Sequence, residues 1–520
     1  MTSLKSSILA LLGCACLAAH ADQPEANTIA AHDSSDGLAL TPPMGWYPWN
    51  QFGDAQDEDL IKSIADAMVK TGMRDAGYGF VGPDEGVCFD RAADGRLTPV
   101  LKRYPSGLRG LGDYIHSLGL KYALYTDAGT RTCSKGMPGT KGHESDDMRT
   151  LADWRCDYVK IDWCNAEGMN EAVSYQRLYQ AQRATGRPIM HSVCSWGDGK
   201  PWTGWGAASS HLWRTTSDVC APGKVDWNNA IKIALFNQGL YQNAGPGYWN
   251  DPDMLIVGMQ DMTDARDRTI FSLWCLMASP LIAGNNVCSM TPATLAILTN
   301  LEAIGVNQDP LGIQGHLIHD SNGISVWAAK RLFDGSQAVV LCNRQSAPAE
   351  VRVSRADLGL DESAAFFMRN LWQHETTGPL QNDISLTVPA GDVVMLRIAT
   401  ANDFPIPPII SADTYRLSFR ASGAAPQTLT ANLVAKTVGT DVLPLWKVRA
   451  NLPPWLTVKV TQNGKSQTFA NTVNTAGLKM GAYHAIVRAD NTEPRSNKPM
   501  SALYYDVDLE IPASASQKQP

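Results

Sequence analysis

The sequence predicts an α/β fold in which a (β/α)8 barrel is followed by two β domains. Between about residues 40 and 312, short apolar strands alternate with helical stretches, and eight such repeats in about 270 residues match a (β/α)8 barrel. From residue 316 onward the pattern becomes short strands of alternating polarity separated by turn signals, which predicts antiparallel β-structure. A chain of 520 residues is long enough for all three units.

The barrel strands are predicted from short apolar runs that end in polar or aromatic residues. They are expected at residues 44–46, 78–84, 121–127, 158–163, 188–196, 212–218, 248–254 and 279–285. Helices are expected between them, among others at residues 57–71, 108–118, 146–154 and 265–277. In the first helix, Leu60, Ile61, Ile64, Ala65 and Met68 fall on one face, which is the spacing of an amphipathic helix.

Two β domains are predicted beyond the barrel. Residues 316–400 are expected to form an antiparallel β-sandwich with a hairpin turn at Asp334-Gly335-Ser336. Prolines 405, 407 and 408 predict a stiff linker over residues 401–410. The segments LPPWLTV and GAYHAIVRAD resemble those of immunoglobulin-like modules, so residues 411–512 are predicted to form an immunoglobulin-like β domain.

The first residues are typical of an export signal. One lysine precedes an apolar run from Ile8 to Ala19, and Ala19-His20-Ala21 resembles a cleavage site, so residues 1–21 are predicted to be a signal peptide. A lipoprotein attachment at Cys14 is the alternative, but it leaves a shorter apolar run before the cut. The protein is expected to be secreted or periplasmic, and no other stretch is long enough to span a bilayer.

Charge and cysteine spacing argue against several classes of partner. The formal net charge is −7 and the chain has no basic cluster, which argues against nucleic acid. Nine of the eleven cysteines follow the signal peptide, and because nine is odd, at least one thiol stays free or pairs between chains. No cysteine or histidine spacing matches a zinc site, so neither a metal nor an organic cofactor is expected.

One predicted strand, YVKIDWC, carries a lysine and an aspartate where a buried strand would carry valines. Burying a charge is costly unless it is paired, and residues two apart in a strand point to the same side, so Lys160 and Asp162 are expected to act together. The active site of a (β/α)8 barrel lies at the carboxyl ends of its strands. The side chains expected there are Trp46, Trp49, Asp84, Glu85, Tyr125, Asp127, Lys160, Asp162, Cys194, Ser195, Trp196, Arg214, Asp218, Asp251 and Asp253.

This mixture of carboxylates, cations and aromatic rings suits a carbohydrate. Charged groups bind hydroxyls through charge-assisted hydrogen bonds, and flat rings suit the C–H side of a sugar. Two opposed carboxylates suffice to cleave a glycosidic bond.

Several long motifs in order resemble one family. They are TPPMGWYPWNQFG, DGRLTPVLKRYPSGLRGLGDYIHSLGLKYALYTDAG, DYVKIDWCN, LWRTTSDV, GYWNDPDML and GVNQDPLG, and they extend over about residues 40–398. The chain resembles glycoside hydrolase family 27, which contains α-galactosidases and α-N-acetylgalactosaminidases. That family has a (β/α)8 barrel followed by an antiparallel β domain.

The resemblance implies a role for each matching residue. Asp162 aligns with the nucleophile and Asp218 with the general acid/base, so the acid/base is expected to have the higher pKa. The implied outcome is retention, with carboxyls about 5–5.5 Å apart. The implied substrate-binding residues are Trp49, Asp84, Glu85, Tyr125, Lys160, Ser195, Trp196, Arg214 and Asp253, and Cys133 aligns with a disulfide partner of Cys164.

Two departures leave the specificity open. The Asp-Asp-Cys-Trp of the family is Asp84-Glu85-Gly86-Val87 here, and a glutamate could fill the space of a C6 hydroxymethyl group, as in the family's β-L-arabinopyranosidases. Ser195 replaces the glutamate of typical α-galactosidases and resembles the α-N-acetylgalactosaminidase choice, with Trp202 or Trp205 expected to rebuild the pocket wall.

The favoured function is therefore an exo-acting α-galactosidase, with β-L-arabinopyranosidase or α-N-acetylgalactosaminidase activity as alternatives. An inactive sugar-binding barrel is the alternative of a different class. Cys194 and Cys220 could form a disulfide or remain two buried thiols. The last β domain could bind polysaccharide, attach the barrel to a surface or add stability, and a spacer is slightly favoured.

Overall fold

The computed structural model describes residues 34–134, 136–361, 364–423, 425–439 and 443–513. The predicted signal peptide, residues 1–21, lies outside the described residues. Within the described ranges, no helix is long and apolar enough to cross a membrane.

The first domain is a closed parallel barrel, as predicted. The barrel strands are β1 (Met44–Trp46), β2 (Phe80–Val81), β5 (Lys121–Asp127), β6 (Tyr158–Asp162), β7 (Met190–Cys194), β8 (Leu212–Arg214), β9 (Trp249–Asp251) and β10 (Leu281–Ala283). Between β2 and β5, the strands β3 (Phe89–Arg91) and β4 (Leu97–Pro99) form a separate hairpin. The sheet order is β10-β1-β2-β5-β6-β7-β8-β9. The barrel closes just after β9, where the Leu255 amide donates to the Ile282 carbonyl over 2.8 Å.

Ten α-helices surround the barrel strands in the described residues. They are α1 (Trp49–Phe52), α2 (Glu58–Lys70), α3 (Gly107–Ser117), α4 (Glu144–Asp153), α5 (Glu171–Ala184), α6 (Trp205–Ser209), α7 (Trp227–Asn237), α8 (Asp264–Leu276), α9 (Pro292–Leu298) and α10 (Leu301–Asn307). The predicted face of α2 packs inward through Ile61, Ile64, Ala65 and Met68, while Leu60 is only half-buried. Asp57 starts this helix because its carboxylate accepts a hydrogen bond from the Leu60 amide.

The second domain is antiparallel. Its strands are β11 (His316–Ser321), β12 (Ile324–Arg331), β13 (Gln337–Asn343), β14 (Ala349–Val353), β15 (Phe366–Asn370), β16 (Glu375–Leu380), β17 (Ile384–Val388) and β18 (Val393–Ala399). Six of them form one sheet, β11-β12-β13-β18-β15-β16, and β14 pairs with β17. The predicted hairpin is β12–β13. An ion pair of 2.6 Å between Arg268 on α8 and Asp392 links this domain to the barrel.

The third domain contains two four-stranded sheets, β19-β21-β24-β23 and β20-β26-β25-β22. Its strands are β19 (Ile409–Ala412), β20 (Arg416–Arg420), β21 (Thr428–Val438), β22 (Leu445–Val448), β23 (Leu456–Asn463), β24 (Ser466–Asn474), β25 (Gly481–Glu493) and β26 (Lys498–Ile511). The proline-rich segment does not hold this domain away from the barrel. The Tyr415 amide donates to the carbonyl of His116, at the end of α3, over 2.9 Å, so the two domains are in direct contact.

Candidate active site

A polar cavity of about 430 Å³ opens at the carboxyl ends of the barrel strands. Its lining residues are Trp49, Asn50, Asp84, Glu85, Cys133, Lys160, Asp162, Cys194, Trp196, Arg214, Asp218, Asp253 and Met254. The structure therefore brings together most of the side chains that the strand-end argument selected. They come from seven of the eight barrel strands and the loops that follow them.

Asp162 is the last residue of β6 and is 5% exposed. Its Oδ2 accepts a 2.7 Å hydrogen bond from the Tyr125 hydroxyl, so Tyr125 acts on the carboxylate from behind and does not line the cavity. Among the described residues, none donates a hydrogen bond of standard geometry to Oδ1, and the Cys194 thiol on the neighbouring strand lies beside this carboxyl. Burial raises the pKa of Asp162, and the positive charge of Lys160 offsets only part of this rise.

Lys160 lies two residues before Asp162 and pairs with Asp84. Its Nζ is 3.1 Å from each carboxylate oxygen of Asp84, which is fully buried at the end of the second barrel strand. Burial works against the ammonium, but the carboxylates of Asp84 and Asp162 outweigh it and raise the pKa of Lys160. The lysine in YVKIDWC is thus a paired cation, which answers why a charge is tolerated there.

Arg214, at the end of β8, joins two carboxylates. Its Nη2 lies 2.9 Å from Asp218 Oδ1 and 3.1 Å from Asp253 Oδ2. The Asp253 backbone has a φ of +89°, a region that L-residues seldom adopt, and its carboxylate accepts hydrogen bonds from the amides of Val219 and Met254. These contacts hold Asp253 against the guanidinium.

The pKa order of Asp162 and Asp218 differs from the prediction. Burial acts to raise the pKa of Asp218, but Arg214 and Lys160 outweigh it, so that this pKa is lowered. The Asp218 side chain is 49% exposed, whereas Asp162 is almost fully buried and has a raised pKa. Burial thus dominates the pKa of Asp162, whereas the positive charges of Arg214 and Lys160 dominate the pKa of Asp218.

Glu85 is tied to two neighbouring loops. Its Oε1 accepts a hydrogen bond of 2.5 Å from the Ser134 amide, next to Cys133. The Gln56 side chain, 2% exposed, accepts a hydrogen bond from the Asp84 amide over 2.9 Å and donates to the Glu85 carbonyl. Sequence reasoning missed Gln56, because nothing in the sequence shows that its amide reaches a loop 28 residues away.

The loop after β7 differs from expectation at Ser195. Ser195 is fully buried, does not line the cavity, and has its hydroxyl beside the carboxyl of Glu171. Trp196 takes the cavity position instead, with a φ of +52°. Trp202 and Trp205 were expected to rebuild the pocket wall, but neither lines the cavity; the Trp205 ring stacks on Tyr175 at 5.7 Å.

The nine cysteines among the described residues form one disulfide and seven free thiols. Cys133 and Cys164 are bonded, with a Cα–Cα distance of 5.0 Å, and join the loops after β5 and β6. Cys194 and Cys220 remain separate buried thiols, which decides between the two alternatives. Asp127 lies close to the disulfide sulfurs, but bonded sulfurs supply no thiolate for a metal. Burial and the charge of Asp162 raise the pKa of Asp127 to about 8.

Asn50 is a further residue that sequence reasoning missed. It lines the cavity and is 2% exposed, and its Nδ2 has no hydrogen-bond partner among the described residues. An unsatisfied buried amide in a ligand cavity is a donor available to a bound hydroxyl. Its place in the PWNQFG motif, directly after Trp49, was the signal that could have identified it.

Comparisons with known proteins agree with this geometry. A family model described as "Alpha galactosidase A" matches residues 41–309, and one described as "Alpha galactosidase C-terminal beta sandwich domain" matches residues 321–398. The α-galactosidase of Cyamopsis tetragonoloba is 40% identical over 358 residues, which are 68% of this chain and 85% of that protein. The α-galactosidase A of Cellvibrio japonicus is 40% identical over 388 residues, 71% of this chain and 95% of that protein.

A solved structure supports the same assignment. The crystal structure of α-galactosidase I from Mortierella vinacea has a TM-score of 0.64 and 32% identity, and the match covers 70% of this chain and 98% of that chain. The third domain lies beyond the end of both matched family models. The family models cover more than half of the chain, and the chain belongs to the α-galactosidase family of glycoside hydrolases, glycoside hydrolase family 27.

Proposed function

We propose that this protein is a retaining exo-α-galactosidase that removes terminal α-D-galactosyl residues from oligosaccharides, polysaccharides or glycoconjugates. One observation carries the proposal: Asp162 and Asp218 line the same small cavity, together with the cations Lys160 and Arg214 and the Trp49 ring. A small cavity at the end of a barrel suits a single terminal sugar rather than the interior of a chain. Two carboxylates that share such a cavity can act as nucleophile and as acid/base.

In the first step, Asp162 attacks the anomeric carbon while Asp218 gives its proton to the leaving oxygen. The bond from the anomeric carbon to that oxygen breaks, and a glycosyl ester of Asp162 forms. Asp162 is suited to attack because its buried Oδ1 accepts no hydrogen bond of standard geometry among the described residues, while Tyr125 holds Oδ2. Asp218 is suited to protonation because its exposed side chain can reach a leaving group.

In the second step, Asp218 takes a proton from water, and the water oxygen replaces Asp162 on the anomeric carbon. The ester has removed the negative charge of Asp162, so that repulsion no longer raises the proton affinity of Asp218. The positive charge of Arg214, 2.9 Å away, then favours the anionic form that a general base requires. Two displacements at the same carbon return the original anomeric configuration.

A paired hydrolysis assay tests the proposal. Nitrophenyl α-D-galactopyranoside, β-L-arabinopyranoside and α-N-acetylgalactosaminide are offered to the purified protein, and kcat/KM is compared. We expect a preference of at least about tenfold for the galactoside, with α-galactose as the first product detected by proton NMR. A β-configured first product, or no turnover with any substrate, contradicts the proposal. The Asp162→Asn variant should still bind galactose, because the sugar contacts remain, but should not turn over.

The second candidate, β-L-arabinopyranosidase activity, is favoured by Glu85. This glutamate lines the cavity at a position where the family's usual residue is aspartate, and a longer side chain leaves less room for a C6 group. A preference for the arabinoside in the same assay would support this candidate.

We also propose that the protein is exported. Support comes from the apolar run Ile8–Ala19 followed by Ala19-His20-Ala21. N-terminal sequencing of the protein from the medium or periplasm should begin at Asp22. A lipid-linked residue at Cys14 would favour the lipoprotein alternative.

A further inference from the structure

The Glu85 side chain crosses from one cavity loop to another. It leaves the loop after β2, and its Oε1 accepts a hydrogen bond of 2.5 Å from the Ser134 amide. Ser134 follows Cys133, which lines the cavity and is bonded to Cys164. Cys164 lies two residues after Asp162. The Glu85 carboxylate therefore holds a loop that is covalently joined to the strand end carrying the nucleophile.

The starting point of this side chain is also fixed. The Gln56 amide accepts a hydrogen bond from the Asp84 backbone and donates to the carbonyls of Glu85 and Gly53. A Cβ on Gly86 would lie 3.0 Å from Gln56 Nε2, so the chain just after Glu85 packs closely on the same amide. Gln56 therefore fixes the backbone from which the Glu85 side chain extends.

Electrostatics place the Glu85 carboxylate near the end of β5. The Glu85 charge raises the pKa of both Tyr125 and Asp127, after the larger effects of burial and of Asp162, and these two residues belong to β5. The loop that contains Ser134 follows the same strand. The carboxylate thus lies towards the β5 loop, which agrees with the hydrogen bond to Ser134.

We propose that Glu85 is a positioning residue that holds the disulfide-bonded cavity wall through Ser134, so that its extra methylene group bridges two loops instead of filling the space for C6 of galactose. The proposal rests on the α-galactosidase function and deepens it, because it explains how galactose can be accepted although aspartate is replaced by glutamate. An aspartate at this position is shorter by about 1.5 Å, one C–C bond. Its oxygen would then lie beyond hydrogen-bond distance of the Ser134 amide.

The Glu85→Asp variant separates this proposal from a C6-filling role. If Glu85 fills the C6 space, the shorter side chain raises the ratio of galactoside to arabinoside kcat/KM by tenfold or more. If Glu85 holds the wall, kcat/KM falls by about tenfold for both substrates, because a charge-assisted hydrogen bond is lost, and the ratio stays within about threefold of wild type. A tenfold rise in the ratio overturns the proposal.

Two further measurements test the wall-holding role. The Glu85→Gln variant keeps an oxygen that can accept from Ser134, so it should recover most of the activity that Glu85→Ala loses, at equal thermal stability; an equal loss in both variants overturns the proposal. Dithiothreitol should also reduce the Cys133–Cys164 disulfide at least about threefold faster in Glu85→Ala than in the wild-type protein. Alkylation of the released thiols and peptide mass spectrometry measure this rate. An unchanged reduction rate counts against the bridge.

The reduction rate also distinguishes the two proposals. If the wild-type protein turns over neither substrate, the α-galactosidase proposal fails. The hydrolysis assays then give no ratio of galactoside to arabinoside kcat/KM. The reduction rate does not depend on substrate. A faster reduction in Glu85→Ala would then still show that Glu85 holds the loop, whereas an equal rate would reject it.

Discussion

At the scale of single residues, Asp162 and Asp218 meet different surroundings. Asp162 is 5% exposed and held by Tyr125, whereas the Asp218 side chain is 49% exposed and paired with Arg214. A nucleophile must be aimed at one atom, so a fixed, buried carboxylate suits it. An acid/base must reach first a leaving group and then water, which an exposed side chain can do.

The two roles predict different losses on substitution. Asp162→Gly should lower kcat for the nitrophenyl galactoside by at least about 10³-fold, because the ester cannot form. Asp218→Ala should still form the ester from this good leaving group, but it should hydrolyse the ester slowly. Azide needs no general base, so azide should restore turnover of Asp218→Ala and give α-galactosyl azide. A β-azide from this variant would show that the roles are exchanged.

A buried carboxyl that does not line the cavity predicts a pH-dependent stability. Burial raises the pKa of Asp267 on α8 to about 7, and its Oδ2 accepts a hydrogen bond from the Gly258 amide. Because the folded pKa lies above the unfolded value, the folded state binds more protons between about pH 4 and pH 7, and stability falls as pH rises through this window. The slope should approach about 1.4 kcal/mol per pH unit.

The Asp267→Asn variant isolates this effect. Its amide oxygen can still accept from Gly258, but the side chain does not ionise, so that its stability relative to wild type should increase from pH 5 to pH 8. Urea denaturation at several pH values measures the difference. A difference that does not change with pH would show that Asp267 ionises freely in the folded protein.

At the scale of elements, the barrel strands were predictable, and their ends less so. The segment predicted as strand 78–84 pairs only at Phe80–Val81, and the segment 248–254 only at Trp249–Asp251. Pro83 and Pro252 follow these short strands, and proline has no amide hydrogen to continue a ladder. The apolar pattern located each strand, but the prolines set where pairing stops.

The side chains of the site were predictable where they lie on strands, and less so where they lie on loops. Alternation along β6 places Lys160 and Asp162 on the same side, and the strand-end rule gathers residues from seven strands. Contacts between side chains of different loops follow no periodic pattern in the sequence. The Glu85–Ser134 hydrogen bond joins residues 49 apart, and Ser195 turns away from the cavity towards Glu171. Only the folded structure shows these partners.

Gly82 gives a prediction for the element β2. A Cβ at this position would lie 1.8 Å from the Ala123 carbonyl oxygen, so the chain leaving β2 approaches β5 too closely for any side chain. Gly82→Ala should therefore push the backbone of Asp84 and Glu85 away, destabilise the protein by several kcal/mol and lower kcat/KM. Thermal unfolding and the galactoside assay measure both effects.

Gly239 provides the matched control for this substitution. A Cβ there meets no atom within 4 Å, so Gly239→Ala should change stability by less than about 1 kcal/mol and leave activity unchanged. If Gly82→Ala behaved in the same way, the close approach of β2 to β5 would be refuted.

At the scale of the whole molecule, the third domain is joined to the barrel by buried charges. Arg187, just before β7, lies 2.6 Å from Asp157 Oδ1 and 2.9 Å from Asp506 Oδ1 on β26. Asp157 also accepts from the His116 ring over 2.6 Å. Burial opposes ionisation of Asp157, but His116 and Arg187 outweigh it and lower its pKa below its usual range. The Arg187–Asp157 ion pair therefore stays charged down to acid pH, and it is lost only as pH falls through the lowered pKa of Asp157.

This arrangement gives the third domain a structural role. Arg155, beside the start of β6, lies 2.7 Å from Asp508, so two arginines of the barrel contact neighbouring positions of one strand. Asp157 directly precedes β6, the strand that ends in Asp162. The third domain thus braces the amino end of the strand that carries the nucleophile, and we expect its loss to reduce stability rather than to alter the cavity.

Asp506→Asn tests this coupling with Glu510→Gln as its control on the same strand. Asp506 is 2% exposed, and removing one partner of a buried pair costs about 3 kcal/mol, because the remaining charge is left uncompensated. Glu510 pairs with Arg420 over 3.5 Å with both side chains more than half exposed, so Glu510→Gln should cost less than about 0.5 kcal/mol. Calorimetry of the full chain should show that Asp506→Asn lowers the temperature at which the barrel unfolds. If only a transition of the third domain moved, the two domains would unfold independently and the brace would not exist.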